Sequence, residues 1–158
     1  MRKDLIQDFT LRISNANRSE LVVIKFDMFD EYVSSAVSYL DAGDETNWKK
    51  ELRRAIAVIE SFKDTLDFKY EISENLFSIY QYCMTQCYKA LSLKKKEGLD
   101  EVKSIMRRLS ASFEEVAKKD DSPALMGHSE KVVAGMTYGK GSLYEGTSLS
   151  EPNRGFWA

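Results

Sequence analysis

Helix breakers are scarce in most of this chain. Two prolines and eight glycines occur in 158 residues, and most of them fall after Ser122, so the long stretch before it offers little to interrupt a helix. Cysteine is scarcer still. Cys83 and Cys87 sit four apart, and a lone pair is no disulfide framework. No uninterrupted apolar stretch is long enough for a membrane span, and Met1 to Asp8 lacks the apolar run of a signal peptide. The expectation is a cytoplasmic protein with reduced thiols and no membrane insertion. Charge of one sign is also missing. Lys and Arg number 23 against 25 Asp and Glu, a net charge of −2, with a pI near 5.6. A nucleic-acid binder would show a basic patch and a high pI, so nucleic acid is not expected as a partner.

The chemistry of a catalytic centre is absent from the pattern as well. The single histidine, His128, follows Met126-Gly127 in a glycine-rich region and reads as a solvated loop residue. Cys83 and Cys87 lie one helical turn apart on an apolar stripe and read as small core residues; a zinc site would want four ligands. Carboxylates such as Asp27, Asp30 and Glu31 lack the Glu-x-x-His pairing of di-iron bundles, and there is no phosphate loop or dinucleotide fingerprint. The expected protein has no catalytic residues, no metal and no cofactor.

What is present is a repeated stripe of apolar residues at alternating steps of four and three, the pattern of helices packed along one another in a bundle. It runs through Val22, Phe26, Phe29, Val33, Ala36 and Leu40, then Trp48, Leu52, Ala55, Ile59, Phe62 and Leu66. A third stripe is Ile72, Leu76, Ile79, Cys83, Cys87 and Ala90, and a fourth is Leu99, Val102, Met106, Leu109, Phe113 and Val116. Asn17 or Ser19 can cap the first helix and Asp44 the second, while Lys94 to Lys96 and Gly98 suit the end of the third. Connections of a few residues predict an all-α, antiparallel four-helix bundle. Leu5, Ile6, Phe9 and Ile13 predict a short extra helix lying on it. The expected division is a helical domain over residues 1–121 and a Gly/Ser-rich arm over 122–158. Val132, Val133, Met136, Tyr138, Phe156 and Trp157 would anchor that arm on a folded surface, its own or a neighbour's.

Two helices carry more apolar surface than one core requires. Beside the first stripe lie Leu21, Ile24, Met28, Tyr32 and Tyr39; beside the third lie Phe77, Tyr80, Met84, Tyr88 and Leu91. Such a surplus needs a cover: the N-terminal segment, the arm, a second subunit or a partner. Met and Tyr together suit an adaptable surface that receives a helix. The predicted partner-binding residues are Leu21, Ile24, Met28, Tyr32, Phe77, Tyr80, Met84 and Tyr88. The N-terminal segment is expected to cover part of this surface in the free state. Asp27 is an acid set inside an apolar run. It reads either as an ion pair with a base on a neighbouring helix or as a partner contact.

Residues 13 to 43, from Ile13-Ser14-Asn15-Ala16-Asn17-Arg18-Ser19-Glu20-Leu21 through Phe26-Asp27 to Asp41-Ala42-Gly43, resemble the first bundle helix of the flagellin-specific secretion chaperones, the FliS family. The motifs Thr65-Leu66-Asp67, Glu71-Ile72, Asn75-Leu76, Tyr80-Gln81-Tyr82 and Leu99-Asp100-Glu101-Val102 follow in the family's order. Arg18 stands where the family usually has proline, and Tyr70 stands in place of a glycine. The arm, with Tyr138-Gly139-Lys140-Gly141, looks like the tail of firmicute-type members. The resemblance implies an export chaperone that binds the disordered C-terminal region of flagellin, prevents premature polymerisation and delivers it to an export gate component. The alternative is a generic helical adaptor that homo-oligomerises through its surplus faces, and a homodimer is left open in either case.

Overall fold

The structure is a computed structural model that describes residues 2–126. Among these residues the secondary structure is five helices: α1 (Lys3–Asn15), α2 (Arg18–Asp41), α3 (Glu45–Asp64), α4 (Ile72–Leu93) and α5 (Leu99–Ala117). His128 and the arm anchors from Val132 to Trp157 lie outside the described residues.

Helix starts follow local chemistry. Asn17 accepts a hydrogen bond from the Glu20 N–H while the Glu20 carboxylate accepts one from the Asn17 N–H, a complete capping box for α2. Asp44 caps α3 through the Asn47 N–H at 3.0 Å. The end of α4 differs from the expectation. Lys94 itself adopts the left-handed conformation that closes the helix (φ 53°), whereas Gly98 (φ 85°) sits at the start of α5. The lysines there make cross-links: Lys94 pairs with Glu45 at 2.9 Å and Lys96 with Asp41 at 2.8 Å, tying the α2–α3 corner to the α4–α5 corner.

Helices adjacent in sequence pack together from α2 to α5, and α5 closes back on α2. Asn17 and Ser19 at the start of α2 meet Asp120 just past α5. Further along, Asp30 holds Arg107 through two bonds of 2.9 and 3.1 Å, and Ser34 receives Lys103 at 2.7 Å. Residue numbers rise on α2 as they fall on α5, so these two helices run in opposite directions.

The four stripes meet in one core. Phe29, Val33, Trp48, Leu52, Ile59, Val102 and Met106 are fully buried, and Phe26 stacks on Phe62 with ring centroids 4.4 Å apart. Side chains of this kind each contribute about 1.5–3 kcal/mol on burial. The stripes fray at their ends: Ile72 and Val116, which continue the pattern, are exposed. α1 packs on α2 alone among the helices with more than marginal contact.

Candidate functional site

The first part of the surplus stripe of α2, from Leu21 to Met28, is already covered. Ile24 is buried, and together with Leu21 and Met28 it packs against Phe9, Ile13 and Ala16, a small cluster separate from the main core. The cover is α1, whose apolar residues recur at helical spacing. Its seat is shallow: Phe9 is its only buried residue, and Ile6 and Leu11 remain exposed. Thirteen residues form a marginal helix in water, so docking is what keeps α1 helical.

Asp27 is explained at the same place. The Arg12 guanidinium of α1 pairs with its carboxylate, and it also lies 5.4 Å from the Phe9 ring centroid. Of the two readings of this acid, the structure shows the ion pair with a neighbouring helix. Both partners are over a third exposed, so the pair orients α1 more than it stabilises it, at about 0–1 kcal/mol. Two clefts flank α1. One of about 340 Å³ lies between α1, α2 and α5, lined by Leu5, Phe9, Asp27, Asp30 and Arg107 among others. The second, about 410 Å³, is lined by Asn15, Ala16, Ile24 and the end of α5. The cover is therefore bordered by open space on the bundle surface.

The stripe on α4 divides. Exposure is 2% for Tyr80, 7% for Met84, 39% for Phe77 and 48% for Tyr88. This corrects the expectation that Tyr80 and Met84 stand outside the core: both belong to it. The reason is helix geometry. An α-helix turns about 100° per residue, so measured from Tyr80 the side chains of Met84, Phe77 and Tyr88 stand about 40°, 60° and 80° further round. Exposure rises in the same order as the stripe spirals out of the contact between α3 and α4. Tyr80 stacks on Phe62 with centroids 5.6 Å apart, and burial pushes its phenol up to about 12. Phe77, at the rim, meets the Phe68 ring edge-on at 5.9 Å and takes the Lys63 ammonium over its face at 4.9 Å. Tyr32 of α2 is partly buried against the core, with the Arg54 guanidinium 5.9 Å from its ring centroid.

The predicted site residues thus fall into three places. Leu21, Ile24 and Met28 lie beneath α1, Phe77 and Tyr88 lie on the open rim of α4, and Tyr80 and Met84 lie inside. Tyr32 borders α3. The α3–α4 corner adds a group that the stripe reading missed: Phe68, Tyr70 and Ile72 are all exposed within five residues of one another. Phe68 and Tyr70 lie off every stripe; only the density of large apolar residues in Phe68-Lys69-Tyr70-Glu71-Ile72 could have signalled them.

Cys83 and Cys87 are buried, and burial, the largest cause, pushes their thiols up to about 11 and about 12, with the Glu101 carboxylate adding to the rise at Cys83. At neutral pH both are protonated, apolar core side chains. Among the described residues no group of three or more His, Cys, Asp or Glu is placed to hold a metal ion. No helix among them is long and apolar enough to cross a membrane.

A family model described as flagellar protein FliS matches residues 3–120. The chain belongs to the FliS family. The match spans all five helices, α1 included, and stops before the arm. FliS proteins are cytoplasmic chaperones of flagellar export. Among curated proteins, none matches the chain.

Proposed function

We propose that this FliS-family protein binds the disordered C-terminal region of flagellin in the cytoplasm, keeps it from polymerising early and delivers it to the export gate. One observation carries the reading: an amphipathic helix of the chain's own lies on the second apolar stripe of α2 and buries a single side chain, Phe9, there. A surface that accepts one amphipathic helix in this way can accept another, and a flagellin segment that folds on it would displace α1. Leu21, Ile24 and Met28 form the floor of that site. Phe77 and Tyr88 offer a second, separate patch on the rim of α4, backed from within by Tyr80 and Met84, and Tyr32 lies where α2 meets α3. Ordering a disordered segment costs several kcal/mol, which a long wrapped interface offsets and which keeps the complex releasable.

Co-expression with a flagellin and purification through one partner tests the reading, with a soluble complex as the expected result. Removing residues 1–12 should tighten or speed binding, because a competitor for the floor is gone. The absence of any complex would overturn the proposal. Loss of binding on that deletion, with the helical signal intact, would show α1 to be part of the site rather than its cover.

A further inference from the structure

The joint between α1 and α2 is only two residues long, Ala16 and Asn17, both extended and both buried. Its polar groups are taken up from a distant part of the chain. The Ala16 carbonyl accepts a hydrogen bond from the Leu125 N–H at 3.0 Å. The Asn17 side-chain amide, while its oxygen caps α2, donates to the Asp120 carbonyl at 3.0 Å and the Ser122 carbonyl at 3.3 Å. The Ser19 hydroxyl meets the Asp120 carboxylate, which also accepts from the Ser122 N–H. After α5 the chain therefore folds back across the joint. α1 can swing off α2 only by changing the backbone angles of Ala16 and Asn17. That change would turn the buried Ala16 carbonyl away from Leu125 and leave it without its bond.

We propose that residues 120–125 form a latch on the α1–α2 joint that sets how often α1 lifts from the face it covers. The functional consequence rests on the reading of α1 as a displaceable cover; the latch itself rests on the hydrogen bonds alone. The Leu125 side chain is exposed, so its backbone N–H is the contact that matters. Proline removes that donor and alanine keeps it.

Hydrogen–deuterium exchange of the full chain, read over residues 5–15, tests the latch. Leu125→Pro should speed exchange there about fivefold, the effect of one ordinary hydrogen bond, while Leu125→Ala leaves it unchanged. Ser19→Ala, which removes the hydroxyl facing Asp120, should act in the same direction as proline. Equal exchange in the Pro and Ala variants would overturn the latch, and so would acceleration spread equally over α2 to α5. Flagellin association, measured on the same proteins, separates the two ideas. Faster exchange with unchanged association leaves the latch standing and removes the cover reading. Unchanged exchange, where deletion of residues 1–12 still speeds association, does the reverse.

Discussion

α1 and α3 are both amphipathic helices, yet they relate to the molecule in opposite ways. α3 buries Trp48, Leu52, Ala55, Ile56, Ile59 and Phe62 between two neighbours, whereas α1 buries Phe9 against one. The apolar stripe alone does not distinguish them. What differs is how many helices close around the stripe, and that decides whether a helix is part of the cooperative core or rests on it. A helix that rests on the core can exchange places with a partner's helix at the cost of a few side chains. One built into the core cannot leave without unfolding the domain.

The sharpest way to break this comparison is to truncate one aromatic side chain in each region. Phe29→Ala, in the fully buried core, should lower the unfolding free energy by about 3–5 kcal/mol in urea titration followed by circular dichroism. Phe9→Ala should release α1 at a cost of about 2–3 kcal/mol that appears locally, as faster amide exchange over residues 3–15. The bundle's urea midpoint should move little. If both variants shift that midpoint alike, α1 belongs to the cooperative unit and the contrast fails.

A smaller effect sharpens the core side. Replacing Cys83 and Cys87 together with Ala should cost about 1–2 kcal/mol through small packing defects. The same region predicts an alkaline limit. Burial raises Cys83, Cys87 and Tyr80 above the ordinary values of 9.0, 9.0 and 10.0, so the folded state holds protons that the unfolded state releases. Their contribution is fully present below pH 9 and is lost as pH rises from 9 towards 12. Urea midpoints measured across that range should fall, and the Cys83→Ala, Cys87→Ala protein should fall less steeply. The smallest expected change is at the surface. Lys96→Ala breaks the Asp41 pair, both members of which are more than half exposed, and should barely move the urea midpoint. Added salt should shrink that movement further.

The helices were legible because their signals are local. Asn17, Asp44 and Gly43 mark boundaries through their own side chains or backbone freedom, and Phe26, Leu52 or Val102 announce a buried face through spacing along one helix. The candidate site was legible only in part. Leu21, Ile24 and Met28 were recognisable as apolar surface in need of a cover, and the stripe of Leu5, Phe9 and Ile13 as a helix able to provide it. The α4 stripe showed that Tyr80, Met84, Phe77 and Tyr88 share a flank, but not where the core ends along it.

That limit has a physical cause. Periodicity, capping and charge at helix ends depend on residues within a turn or two of one another, so the sequence by itself determined five helices, most of their ends and their main apolar stripes. Tertiary structure alone decided which neighbours close around each face. The reach of α3 across α4 buries Tyr80 and Met84 but spares Tyr88. Arg12, rather than a base from another bundle helix, answers Asp27, and the return of the chain after α5 ties Asp120, Ser122 and Leu125 to the joint at Ala16 and Asn17. Those contacts join residues up to about a hundred positions apart, and no spacing rule along the chain carries information over that distance.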